Sequence, residues 1–138
     1  MPHINDPSVE IGRSFTEVIP LVREALGAEG FGVLTSIDLQ SAFREKLGRE
    51  SPPFTILGAC NPSLAWRALA ADPRVALFLP CNVTVEGLPD GRTRVAFVDP
   101  VEILNAGRPE GGQGEIAAVA AEAKTRLQGV ARRLIHSS

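Results

Sequence analysis

Apolar residues recur at helical spacing in two long parts of this 138-residue chain. Ser14-Phe15-Thr16-Glu17 is a capping box, and the apolar positions that follow it predict a helix that Gly27 ends. A single apolar stripe from Ile116 to Leu134 predicts a second long helix. Shorter helices are predicted from the N-cap Asp38 to Leu47, and from the cap Asn61 with Pro62 to the residue before Asp72.

Runs of apolar and β-branched residues between these helices predict strands. After a short extended stretch, Val9 to Arg13, the predicted strands are Phe31 to Ile37, Phe54 to Cys60, Val75 to Leu79, Val83 to Leu88 and Arg92 to Val98. The last two form a hairpin about the turn Pro89-Asp90-Gly91. Strands and helices in this order predict one α+β domain over residues 1–138, in two layers, with helices packed on one face of a largely antiparallel sheet.

The composition excludes several classes of partner. A net charge of −2 and the lack of a basic block argue against nucleic acid. No run approaches the roughly 20 apolar residues that a membrane span requires, and the polar segment Met1 to Glu10 is not a signal peptide. We therefore expect a cytoplasmic protein whose two cysteines are free thiols, and the sequence predicts no cofactor.

A Cys-Asn pair occurs twice, in Ala59-Cys60-Asn61-Pro62 and in Pro80-Cys81-Asn82-Val83. If the two segments lie side by side, they bring two thiols and two carboxamides together. Cys60 has the stronger chemical case, because a helix begins directly after it and a helix N-terminus can lower a thiol pKa. Asn61 is first of all the cap of that helix, while Asn82 either satisfies backbone groups or points into a cleft.

The remaining side chains give weaker indications of a functional site. Trp66 lies at the margin of the apolar face of its helix. Three roles stay open for it: packing in the core, lining a pocket or contacting a second copy. A metal is not expected, because two thiolates are too few for a structural zinc site and the histidines, His3 and His136, lie near the chain ends. The glycine-rich stretch Asn105 to Gly114 lacks the ending of a phosphate-binding loop and is predicted to be a flexible linker.

Four segments resemble a bacterial and archaeal family, the domain of unknown function 302 (DUF302). They are Gly30 to Thr35, Ile37-Asp38, Ile56 to Pro62 and Leu79 to Val83. The similarity runs from about Ser14 to about Pro100 and includes the last helix. It implies a β-α-β-β-β-β-α core like the repeat unit of the TATA-binding protein, and a homodimer. It implies no activity, and a shared fold does not transfer DNA binding.

Three hypotheses of function follow, and whether the chain is an enzyme stays open. The first is a small ligand bound in a cleft near Cys60, Asn61, Cys81, Asn82 and Trp66, with apolar walls and a few polar groups. The second is a thiol-dependent redox or sulfur-handling protein that uses Cys60. The third is a homodimeric interaction module in which the cysteines are inert.

Overall fold

Five antiparallel strands form one sheet with the order β1-β5-β4-β3-β2. The computed structural model describes residues 8–105 and 114–137. The strands are β1 (Ser8–Ile11), β2 (Gly32–Asp38), β3 (Phe54–Cys60), β4 (Cys81–Gly87) and β5 (Thr93–Phe97). Alternate residues of the central strands, such as Val83 and Val85, are buried on the face that packs against the helices. The predicted α+β fold with helices on one face is therefore confirmed.

The helices begin and end at the signals present in the sequence. They are α1 (Phe15–Ala28), α2 (Leu39–Leu47), α3 (Pro62–Ala71), α4 (Pro100–Asn105) and α5 (Gly114–Ser137). Ser14 and Glu17 form the predicted capping box of α1, and the Asp38 side chain accepts the Ser41 N–H at the start of α2. Gly48 ends α2 in the left-handed region, at φ 65°, where glycine has no steric penalty.

Two hydrophobic clusters make up the core. The larger lies between the sheet, α1 and the C-terminal half of α5, and it includes Leu26, Leu57 and Leu127. The smaller joins α3, α4 and the N-terminal half of α5 through residues such as Leu64 and Val119. The apolar stripe of α5 seen in the sequence contributes to both clusters. This helix therefore connects the larger cluster to the smaller one.

One predicted strand is wrong. Val75 to Leu79 does not form a strand, because Pro73–Phe78 is a short 3₁₀ helix. The Asp72 side chain accepts the Arg74 N–H at 3.0 Å, and Pro73 occupies the first helical position, so the chain enters a helical turn before the apolar run begins. Only Val75 of this segment is buried, so the run lacks the two-sided burial of an inner strand.

Helix α4 was not among the helices predicted from the sequence. The Asp99 carboxylate accepts the Val101 N–H at 2.9 Å and Pro100 starts the helix, which is the same cap-and-proline signal that begins α3. The predicted linker Asn105 to Gly114 lies mostly outside the described residues, although Gly114 is the first residue of α5. None of the described helices is both long enough and apolar enough to cross a membrane.

Candidate site at the end of the sheet

The two Cys-Asn pairs lie side by side in the sheet. Strands β3 and β4 are antiparallel partners, with Ala59 opposite Cys81 and Gly58 opposite Asn82. Cys60 is the last residue of β3, and Cys81 is the first residue of β4. Both thiols are therefore at the same end of the sheet, so the condition that the two segments lie side by side is met.

A small apolar cavity lies between this end of the sheet, α3, α4 and α5. Cys60, Asn61 and Cys81 line it together with nine apolar residues. The α3 side of the wall includes Leu64, Ala65 and Ala68, and the α5 side includes Val119 and Ala123. Its volume is about 30 Å³, which is enough for one or two waters. The cavity lies where the two hydrophobic clusters meet, and several of its walls are made by small side chains.

Asn61 is held in place from two directions. Its carboxamide oxygen accepts the Leu64 N–H at 3.2 Å, which confirms the predicted helix cap. Its amide nitrogen lies against Gly30, where a Cβ atom would be 3.0 Å away. Gly30 has φ 86°, so only glycine fits this turn without strain. Asn61 therefore links the start of α3 to the turn between α1 and β2.

Both thiols are neutral at physiological pH. Burial raises the pKa of Cys60. Burial, and then the charge that Cys60 would carry when ionised, raise the pKa of Cys81 to about 11. This direction is opposite to the lowered pKa expected for Cys60 from the helix terminus. The first turn of α3 already has an acceptor in the Asn61 carboxamide, and the thiols contribute to an apolar wall instead.

Asn82 and Trp66 are not among the residues that line the cavity. Asn82 is exposed, and its backbone oxygen accepts the Val98 N–H at 3.1 Å. Trp66 is 78% exposed on the outer side of α3. The structure thus brings together three of the five predicted site residues, namely Cys60, Asn61 and Cys81.

The apolar residues that line the cavity were not predicted as site residues from the sequence. Val119 and Ala123 belong to the stripe of α5, which is the ordinary signal of a core-facing helix. The one available signal was the series of alanines in α3, including Ala65 and Ala68, because small side chains on a core-facing helix leave space.

Charged side chains near the site form ion pairs with one another. Arg67 on α3 forms ion pairs with Glu115 at 2.9 Å and Glu122 at 3.1 Å on α5, and these contacts hold α3 against α5. On the hairpin, Arg94 pairs with Glu10 and Glu86. Within residues 8–105 and 114–137, no three His, Cys, Asp or Glu side chains are grouped as metal ligands would be.

The fold and the cavity define a small two-layer α+β protein with a thiol-bearing apolar cavity at one end of its sheet. A protein-family model, "Domain of unknown function DUF302", matches residues 8–134, and the chain belongs to this family. The family indicated by the four segments is thereby confirmed, and the match begins before Ser14 and includes most of the last helix.

One solved structure is similar over nearly its whole length. It is the crystal structure of an uncharacterized conserved DUF302 protein from Bacillus stearothermophilus, with a TM-score of 0.82 and 28% sequence identity. The alignment covers 96% of this chain and 99% of that chain. No curated protein matches the chain. The comparisons therefore identify the family and the fold, and they assign no activity.

Proposed function

We propose that this protein binds a small ligand whose apolar part enters the cavity between the sheet end, α3 and α5. The observation that carries the proposal is the composition of the cavity: nine apolar residues, two neutral thiols and one fixed carboxamide. Ligand sites in proteins combine apolar walls with a few polar groups that orient the ligand. Asn61 supplies that polar group, because its capping bond fixes the direction of the carboxamide.

The size of the cavity restricts the ligand. At about 30 Å³, it is far smaller than the roughly 300–1,000 Å³ typical of sites for drug-sized molecules. Only a very small group fits without movement of the walls. A larger ligand must displace α3, whose Arg67 contacts with α5 are partly exposed and therefore weak.

A substitution that fills the cavity tests this proposal. Ala65 lines the cavity, whereas Ala70 on the same helix is exposed, so A65L and A70L form a matched pair. We expect very small apolar probes such as xenon and ethane to raise the melting temperature of the native chain and of A70L, but not of A65L. The same probes are expected to perturb the NMR signals of Ala59 and Ala123. Equal responses in all three proteins, or none in any, would contradict the proposal.

The thiol-dependent redox or sulfur-handling hypothesis is weakened by the raised pKa of both cysteines. A thiolate is the nucleophile in such chemistry, and burial reduces its population at Cys60 and Cys81. The hypothesis stays a prediction, and iodoacetamide labelling against pH tests it. A Cys60 that reacts rapidly below pH 8 would restore it.

A homodimeric interaction module is the second candidate function. The observation that favours it is exposed apolar surface: Leu34, Ile37, Trp66 and Leu77 are all between 48% and 83% exposed. Leu34 and Ile37 lie on one strand, and an exposed apolar patch usually marks a surface that contacts another molecule. Sedimentation velocity over a range of protein concentrations tests the state of association directly. A single monomeric species throughout would exclude the homodimer.

A further inference from the structure

Strand β2 is exposed on both faces, unlike every other strand of the sheet. Six of its seven residues are exposed and the seventh, Val33, is only partly buried. The opposite edge strand, β1, has four residues and buries Ile11 completely. Among the residues that the structure describes, β2 pairs with β3 alone, so its other edge carries unpaired backbone N–H and C=O groups.

Helix α2, which begins where β2 ends, packs only lightly, against β3. None of its nine residues is buried, whereas each of the other described α-helices buries at least two. Its apolar residues Phe43 and Leu47 are exposed, and so are Leu34 and Ile37 of β2. Most helical stability in proteins comes from packing an apolar face, and the part of this face formed by Phe43 and Leu47 is exposed in α2.

We infer that the β2–α2 surface, defined by Leu34, Ile37, Phe43 and Leu47, is where a second copy of this chain binds. The inference rests on the homodimeric candidate function given above and identifies its interface. The β2 strands of two copies would pair antiparallel across a two-fold axis, which joins the two sheets into one of ten strands, five from each copy.

The charge pattern of β2 fits a second copy of itself. Gly32 to Ile37 contains no charged side chain, and Asp38 is engaged as the cap of α2. A symmetric pairing centred between Thr35 and Ile37 therefore opposes no two like charges, and it places β-branched and hydroxyl side chains opposite one another, which are favourable cross-strand neighbours. The bulge of β2 lies between Val33 and Thr35, so the segment from Thr35 to Asp38 remains regular.

The size of the surface fits a dimer as well. A standard interface involves about 20–30 residues and about 800 Å² on each partner. Seven residues in β2 and nine in α2 supply most of that number in one continuous segment. Strand pairing alone would bury too little, and the exposed side chains of α2 provide the apolar contribution.

The experiment compares lysine substitutions on two exposed apolar surfaces. L34K and I37K change the β2–α2 surface, and L77K changes the separate surface of the 3₁₀ helix, where Leu77 is 83% exposed. All three side chains are exposed, so each variant is expected to fold. In sedimentation velocity we expect a dimer for the native chain and L77K, and a Kd weakened by roughly 100-fold for L34K and I37K, because lysine blocks edge pairing.

A second measurement separates edge pairing from looser association. Successive N–H groups of a strand point to opposite edges, so within Thr35 to Ile37 only the amides that point away from β3 can bond a second copy. These amides should exchange slowly with solvent in the native dimer and rapidly in I37K, whereas the amides bonded to β3 should be protected in both. If L77K dissociates the dimer instead, the protein is a homodimer but the β2–α2 surface is not its interface. If the native chain is monomeric at all concentrations, both the inference and the homodimer are wrong.

Discussion

The two Cys-Asn pairs have the same residues and different physical surroundings. In the first pair, Asn61 caps α3 and lies against Gly30, and Cys60 is the final residue of a strand. In the second pair, Cys81 begins a strand and lines the cavity, and Asn82 is exposed. The pairs are neighbours in the sheet and have unequal roles.

The residue that follows each pair accounts for this difference. Pro62 is preorganised for the first position of a helix and needs no hydrogen-bond acceptor for its nitrogen, so Asn61 becomes a cap. Val83 is β-branched and continues a strand, so Asn82 takes its place in the β4 ladder opposite Gly58. A repeated dipeptide therefore indicates a shared location here without indicating a shared function.

The largest expected effect comes from the glycine that lets the two segments pack closely. A Cβ atom at Gly58 would lie 2.7 Å from Pro80 Cγ and would overlap Thr35 Oγ1. Overpacking of this kind costs about 1–3 kcal/mol, and we expect G58A to lower the free energy of unfolding by about 2–3 kcal/mol, since Pro80 is rigid. Urea denaturation measures it. G32A, which meets no atom within 4 Å, is the control and should change stability far less.

A loss under about 0.5 kcal/mol in G58A, the range of neutral surface changes, would mean that the two segments can separate without cost. The two Cys-Asn pairs would then be neighbours in the sheet whose close contact does not stabilise the fold. A large loss restricted to G58A would indicate that close contact of the two pairs is part of the stability of the fold.

Much of the fold could be predicted from the sequence because its signals are local. Strand β3 and helices α2 and α3 begin and end at the predicted residues, since caps, prolines and glycines act on their immediate neighbours. The segment Val75 to Leu79 could not be predicted in this way. A short apolar run is equally compatible with a strand and with a helical turn, and the cap at Asp72 decides between them.

The candidate site was less predictable for a related reason. The motif indicated Cys60, Asn61 and Cys81, but the cavity depends on how α3, α4 and α5 pack against the end of the sheet. That packing is set by contacts between residues far apart in sequence, such as Leu64 with the residues of α5 in the smaller cluster. The direction in which the Cys60 pKa shifts could not be decided from the sequence, because burial depends on the same packing.

The next largest expected effect is a loss of folding stability at alkaline pH, to which the two thiols contribute unequally. The folded chain holds the Cys81 proton up to a pKa of about 11, while an unfolded thiol releases it near 9.0. The folded state therefore binds more protons between these values, and stability falls as pH rises from about 9 to 11. We expect a loss on the order of 1 kcal/mol by pH 10.

Thermal unfolding between pH 7 and pH 10.5 measures this loss. The chain contains no tyrosine, so no phenol titrates in the same range. C81S should remove most of the alkaline loss. C60S should remove less of it, because burial of Cys60 is smaller and its pKa is raised by burial alone. Identical pH profiles for the native chain and C81S would contradict the unequal burial of the two thiols.

The smallest expected effect tests the two carboxamides. N61A removes the cap of α3 and the contact with Gly30, and loss of a cap costs roughly 0.5–2 kcal/mol, with about 1 kcal/mol expected here. N82A should stay within about 0.5 kcal/mol of the native chain because the Asn82 side chain is exposed. Urea denaturation compares them. An N61D variant should retain most of the stability, since aspartate is an equally good cap. If N61D is as unstable as N61A, then the amide nitrogen packed on Gly30 matters more than the capping oxygen, and the role of Asn61 lies in holding the turn between α1 and β2.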